Sequence, residues 1–243
     1  MGLKLELGLK DKVILVSGGA SGIGQEIVKK LQVLEAIPIV FDKVERVEAT
    51  WEQGSNDLPL PLWFTVDLVE EGLCRNAVYE VIDRFGRVDG LVNNAGVNDS
   101  VGLESSPDQF RASIEANLTH YFTMAHLCLD LLKKNKAAIV NIGSKVSFTG
   151  QGNTSGYAAS KGGITSLTRE WAADLASFGI RVNAVIPGEV MTPMYERWIN
   201  SFESPKEKLK EITKNIPLEN RMTTSSEVAM AAIFLPKWSS HTT

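Results

Sequence analysis

Tyr157 and Lys161 stand four residues apart in the run Tyr-Ala-Ala-Ser-Lys. On a helix that spacing puts both side chains on one face. A phenol with a pKa near ~10 is a poor base at neutral pH, and a fixed ammonium beside it favours the phenolate. Bringing the phenol near neutrality takes roughly 4 kcal/mol of differential stabilisation. One close cation, a helix N-terminus and a bound cationic group are sources of it. Tyr–Lys pairs at this spacing are also common surface decoration, so the pair needs company. Ser144 lies thirteen residues before Tyr157, directly after an apolar run. Its hydroxyl can donate to a substrate oxygen that gains negative charge, although in isolation it reads equally as a cap or turn residue. Asn117 sits amid an apolar helical face, where Asn is mildly unfavourable. A water that passes protons onward from Lys161 and a plain helix–helix contact are both open for it.

Short apolar runs alternate with helical stretches and must position these groups. Strands are expected at Val13–Ser17, Ile37–Phe41, Leu62–Val66, Gly90–Val92, Ala138–Ile142 and Arg181–Ile186. Helices are expected at Gly22–Leu34, Glu70–Phe85, Pro107–Lys134 and Gly156–Phe178. Strands that are apolar throughout, separated by helices, imply a parallel sheet covered on both faces, the doubly wound α/β fold. The polar stretch Asp42–Pro61 reads as an exposed loop. Pro193–Pro217 interrupts the alternation just after a strand end and is expected to be a substrate lid. With no repeat or linker, residues 1–243 are read as a single domain.

The first strand runs into Ser17-Gly18-Gly19-Ala20-Ser21-Gly22-Ile23-Gly24. Glycines let backbone N–H groups approach a pyrophosphate, and the following helix N-terminus favours its charge. Gly18, Ser21, Gly22, Ile23 and Gly24 are therefore candidates for holding a dinucleotide; the plain alternative is a tight strand–helix turn. Asp42 ends the second strand, 18 residues beyond Gly24. A carboxylate there accepts from both ribose hydroxyls of NAD and repels the 2′-phosphate of NADP, so NAD is the expected cofactor. Asp42 can also serve merely as a turn residue. Asp67-Leu68 and Asn93-Asn94 end the third and fourth strands at the same carboxyl edge, where such folds bind ligands. Turn chemistry is the other reading of the asparagines.

Bulk properties exclude several classes. A chain of 243 residues with 44% hydrophobic and 22% charged residues has an ordinary globular composition. A net charge of −4 gives no concentrated basic face for nucleic acid or an anionic membrane. Cys74 and Cys128 lie outside any CxxC pattern, which speaks against a disulfide framework or zinc site and for a reducing cytosol. The N-terminus lacks the apolar core of a secretory signal, and Glu6 stands where a myristoylation motif needs Ser or Thr. No run spans a bilayer, so the expected location is cytoplasmic. His120 and His126 have no ligand partners at useful spacing, and no metal is expected.

The ordered set SGGASGIG, NNAG, Asn117, Ser144, YAASK and Pro187-Gly188 resembles the short-chain dehydrogenases/reductases over nearly the whole chain. That resemblance implies a Rossmann-like fold and hydride transfer between nicotinamide C4 and a carbinol or carbonyl carbon. It implies Tyr157 as general acid/base, and Lys161 as the residue that lowers its pKa and binds ribose. Ser144 would polarise the substrate oxygen and Asn117 would hold a relay water. Val190 and Thr192 would meet the nicotinamide carboxamide. Ser17 replaces the family's usual Thr and keeps the hydroxyl. The family pattern continues with a Gly-rich final strand, whereas this chain stops at Ser239-Ser240-His241-Thr242-Thr243. The expectation is a sheet without its last strand, or a shortened chain. A homotetramer built on helix–helix interfaces is also implied.

The stretches VNNAGVNDSVGL, GQGNTSGY, REWAADL and PGEVMTPMYERW resemble the L-fucose dehydrogenases within that family. They imply oxidation of an aldose at C1 to a lactone. Polar residues expected at the pocket mouth, Asn98, Lys145, Gln151, Asn153 and Glu189, suit a small-molecule substrate with many hydroxyls. Each is equally readable as solvated loop polarity. Trp198 either stacks on a sugar face or packs the lid. The rival within the family is a carbonyl or 3-oxoacyl reductase using NADP. The rival from another class is a non-catalytic NAD-binding scaffold, against which stands the presence of Asn117, Ser144, Tyr157 and Lys161 together.

Overall fold

Alternating side chains on each strand bury against two separate helical layers. The computed structural model describes residues 7–45 and 60–235. Its strands are β1 (Val13–Ser17), β2 (Ile37–Asp42), β3 (Leu62–Thr65), β4 (Gly90–Asn93), β5 (Ala138–Ile142) and β6 (Arg181–Val185). They form one six-stranded sheet in the order β3-β2-β1-β4-β5-β6. All its pairings are parallel. Val13, Leu15, Ile39, Phe41, Leu91 and Ile139 face one core, and Ile14, Val16, Val40, Val92 and Val140 face the other. Period-2 strands that are apolar on both faces need this double cover.

Helices α1 (Gly22–Val33) and α8 (Ser225–Phe234) supply the second core. The first core is closed by α2 (Glu71–Phe85), α4 (His120–Asn135) and α5 (Ser155–Leu175). The short α3 (Pro107–Ile114) opens on a capping box between Ser106 and Gln109 with Pro107 in its first turn, which satisfies two N-terminal donors. The α3–α4 stretch corrects the expectation of one continuous helix over Pro107–Lys134. A π-helical turn, Glu115–Thr119, separates the two α-helices and contains Asn117. The run Glu-Ala-Asn-Leu-Thr holds no Pro or Gly to announce it, and tertiary contacts of Asn117 hold it instead.

The expected lid stretch folds as α6 (Pro193–Ile199) and α7 (Pro205–Thr213), next to a small parallel pair of β7 (Val190–Met191) and β8 (Thr223–Thr224). Most of the expected loop Asp42–Pro61, and the terminal Ser239–Thr243, fall outside the described residues. Among those described, β6 is the last strand of the sheet on its side. Strand order reverses between β1 and β4, so the crevice beyond their carboxyl ends is where this topology places a ligand.

Candidate active site

The exits of β1 and β4 are stitched together across that crevice. The Ser17 hydroxyl accepts from the backbone N–H groups of Asn94 at 3.0 Å and Ala95 at 3.2 Å. The Asn94 side chain donates back to the carbonyls of Ser17 at 3.1 Å and Gly18 at 3.0 Å. Asn94 therefore holds the loop in shape with its amide rather than offering it to a ligand. A Cβ on Gly18, which has φ +67, would sit 2.8 Å from the Ala95 Cα, and one on Gly24 would collide with the Gly18 carbonyl. These glycines are required by close backbone approach.

The loop fits a dinucleotide phosphate. Ser21 caps α1 without a side-chain hydrogen bond, and the first turn of α1 carries no acidic residue. No carboxylate of α1 itself therefore opposes its N–H groups and dipole. Ile23 is only partly buried in that first turn. Asp42 ends β2 facing this loop: one oxygen accepts from Ala20 N–H at 2.9 Å, the other from Val44 N–H at 3.0 Å. It is half-buried and serves the turn as well as the loop. Asp67 is exposed and accepts from Val69 N–H at 3.3 Å, while Leu68 is buried. Val190 is buried in β7, and the Thr192 side chain caps α6 by accepting from Tyr195 N–H at 3.1 Å. A Cβ on Gly22 would meet Thr192 at 3.5 Å, so the phosphate loop and the segment after β6 close on one another.

Helix α5 carries Tyr157 and Lys161 across the crevice from the loop. The Lys161 Nζ lies 5.5 Å from the Tyr157 ring centre. Lys161 is buried and donates to the Ile142 carbonyl at 2.9 Å and to the Tyr121 hydroxyl at 3.3 Å. Burial pulls its pKa down to about 7. Burial pushes the Tyr157 phenol above its ordinary value, with the Ser144 hydrogen bond pulling the other way. The phenol of the bare chain is therefore raised rather than lowered, because desolvation outweighs the Ser144 hydrogen bond. Ser144 caps the short turn Lys145–Ser147 after β5, its hydroxyl accepting from Val146 N–H at 3.4 Å.

Asn117 is fully buried beside these groups. Its side-chain oxygen accepts from Val97 N–H at 2.7 Å and its amide donates to the Ser113 carbonyl at 3.1 Å. Both polar ends are engaged, so the side chain itself ties the β4 exit to the π-helical turn. A Cβ on Gly96 would press on the Asn117 oxygen at 3.1 Å and on Lys161 Nζ at 3.5 Å. Gly96 thus lets the strand exit lie against both, a role the sequence does not single out.

Polar residues expected at the mouth divide into two groups. Lys145 and Glu189 form an ion pair, and Tyr195 donates to the second Glu189 oxygen at 2.7 Å. Tyr195 continues into an edge-to-face ladder with Trp198 and Phe202. Asn98 instead turns its own loop by accepting from Ser100 N–H at 3.3 Å, and Gln151 and Asn153 are exposed before α5. Tyr195 and Tyr121 are missed by spacing arguments because both read as apolar aromatics on helices. Among the described residues no group of three or more His, Cys, Asp or Glu side chains is gathered for a metal. No helix there is long and apolar enough to cross a membrane.

Residues 12–201 match the short chain dehydrogenase family. The L-fucose dehydrogenase of Bos taurus is 37% identical over 226 residues, covering 92% of this chain and 82% of that relative. A 3-oxoacyl-(acyl-carrier-protein) reductase of Thermotoga maritima is 31% identical over 230 residues, covering 93% and 91%. The crystal structure of Cj0485 dehydrogenase superposes with a TM-score of 0.90 at 39% identity, over 96% of this chain and 89% of that one. With its crevice, its Tyr157–Lys161 helix and these relatives, the chain belongs to the short-chain dehydrogenase/reductase family of NAD(P)-dependent oxidoreductases.

Proposed function

We propose that this chain oxidises a sugar hydroxyl, that of L-fucose or a related aldose at C1, to a lactone with NAD. The observation that carries the reading is the placement of Tyr157, Ser144 and Lys161 around one crevice whose mouth is polar at Lys145 and Glu189. The likeness to L-fucose dehydrogenases supports the sugar, and Asp42 at the loop supports NAD over NADP.

NAD, which the Gly18–Gly24 loop would hold, would supply the hydride acceptor and a positive charge that would favour the phenolate of Tyr157. Tyr157 removes the hydroxyl proton as the hydride departs. Ser144 donates to the same substrate oxygen, whose charge changes in that step. Lys161 holds ribose and favours the phenolate, and Asn117 holds the water that passes the proton on from Lys161. Gly18, Ser21, Gly22, Ile23 and Gly24 cradle the pyrophosphate. Asp67, Leu68 and Asn94, at the carboxyl edge of the sheet, line the cofactor site, and Val190 and Thr192 meet the carboxamide. Asn98, Lys145, Gln151 and Glu189 contact the sugar, under a lid formed by residues 193–217. We further read the protein as one domain, cytoplasmic and homotetrameric.

The test is NADH formation across L-fucose, L-galactose, D-arabinose, secondary alcohols and hydroxysteroids, with wild-type and Tyr157→Phe. Aldose oxidation with NAD that is lost in Tyr157→Phe is the expected result. Turnover of secondary alcohols but no aldose would remove the sugar, and an active Tyr157→Phe would remove the base. A second reading, a 3-oxoacyl reductase, has a comparable relative in its favour. Faster reduction of 3-oxoacyl thioesters with NADPH than aldose oxidation with NAD would select it.

A further inference from the structure

Tyr121 has no solvent exposure, yet it places a hydroxyl where α4, α5 and β5 meet. That hydroxyl donates to the Ile142 carbonyl at 2.9 Å and accepts from Lys161 at 3.3 Å. Lys161 donates to the same carbonyl at 2.9 Å, so ammonium, phenol and carbonyl close a triangle. Ile142 is the last residue of β5, two residues before Ser144. A buried ammonium keeps its proton only as far as acceptors replace the water it lost.

The groups facing this triangle come from several elements. Tyr157 lies on the same helix as Lys161, and its ionisation would raise the Tyr121 phenol further. The His120 ring lies tilted against that of Tyr121, with centroids 4.9 Å apart. Burial first, and the Lys161 charge second, bring His120 down to about 4, with Asp67 opposing. His120 is therefore neutral at the pH of interest and does not compete for the role of cation. Gly96 approaches with backbone alone.

We propose that Tyr121 is a positioning residue for the proton chemistry: its oxygen, by accepting from Lys161, sets how firmly the ammonium is held beside Tyr157. This rests on the reading of Tyr157 as base. A merely structural hydroxyl would satisfy Ile142 and leave the Lys161 titration untouched.

The experiment follows lysine Cε resonances of carbon-13-labelled, cofactor-free protein against pH. One lysine should titrate near 7, far from the exposed ones, and be identified by its loss in Lys161→Arg. In Tyr121→Phe its midpoint should fall by about half a pH unit or more, because the charged form has lost an acceptor. In turnover, the acid limb of kcat/KM for oxidation should move upward. Activity near neutrality should drop by about 3-fold and recover in alkali. An unmoved midpoint, or a loss equal at every pH, would overturn the proposal. If Tyr121→Phe does not fold, fluorotyrosine at position 121 keeps the ring and weakens the acceptor. It should move the midpoint the same way, and no movement again refutes the idea. Tyr157→Phe, run in parallel, separates the two readings: if it stays active, the base assignment fails while the Lys161 midpoint still judges Tyr121.

Discussion

Tyr195 donates to Glu189 at 2.7 Å and so fastens α6 to the residue that precedes β7. Glu189 spends its other oxygen on Lys145, which follows Ser144. Helix α6 and the serine turn are thereby tied to one carboxylate. A hydrogen bond to a charged group of this kind, partly exposed, contributes on the order of 1 kcal/mol, or about 5-fold in an equilibrium. Tyr195→Phe should raise KM for the proposed sugar substrate by about 5-fold and change kcat by less than about 2-fold. Steady-state kinetics on the best aldose checks it; an equal fall in kcat and kcat/KM would place Tyr195 in the chemical step instead.

Asp42 gives a cofactor prediction. If the proposed NAD reading holds, its removal takes away a charged ribose acceptor and the repulsion of a 2′-phosphate together. Asp42→Ala should lower kcat/KM with NAD by about 10-fold or more and raise the efficiency with NADP. Parallel titrations with the two cofactors measure the ratio. Unchanged discrimination would mean that the carboxylate serves only its bonds to Ala20 and Val44.

Two glycines should respond in opposite directions. In Gly24→Ala the new methyl collides with the Gly18 carbonyl, so NAD affinity and thermal stability should both fall. In Gly162→Ala, mid-helix with nothing within 4 Å of the added carbon, stability should rise by about 0.5–1 kcal/mol. Differential scanning calorimetry reads this as a Tm higher by about 1–4 °C. A destabilised Gly162→Ala would contradict the open space seen there.

Asp89 anchors the opposite end of the sheet. Burial works against its charge, but Arg87, the Val13 N–H and Lys12 outweigh it and hold the carboxyl below its ordinary 3.8. Because the folded value is depressed, the stabilisation is present in full above the unfolded pKa and is lost as pH falls through the folded one. Stability should therefore decline steeply only below about pH 4. Asp89→Asn should cost about 2 kcal/mol at neutral pH and flatten that acid decline. Urea unfolding at pH 7 and pH 3 checks both halves.

Most of the fold is legible because strand patterning is a local property: VILVS, IPIVF and AIVNI are apolar on both faces and become the paired strands β1, β2 and β5. The crevice is legible because loop glycines precede a helix, and the Tyr157–Lys161 face is legible from spacing alone. Pairings made over long sequence distance are not. Lys145 and Glu189 are 44 residues apart, and nothing in either neighbourhood points to the other. Tyr121 reads as one more core aromatic, since its ring is what helical periodicity registers and its hydroxyl bonds depend on where β5 and α5 arrive. Asn117 stands out as an unfavourable mid-helix residue, but the backbone irregularity that accommodates it comes from contacts to Val97 and Ser113. The raised Tyr157 phenol is likewise a property of burial, which no i, i+4 pattern contains.

The π-helical turn at Glu115–Thr119 absorbs one residue more than an α-helical turn would, bonding i to i+5. The extra residue is taken up inside the turn, so α3 and α4 keep nearly the phase of one continuous helix. Deleting a single residue from this turn would heal the regular ladder and leave Tyr121 facing the Ile142 carbonyl and Lys161. The place that Asn117 takes between Val97 and Ser113 would be lost. The oxidoreductase site is thus keyed to a count of residues as much as to their kinds, and a shortened, better-formed helix would be the less competent one.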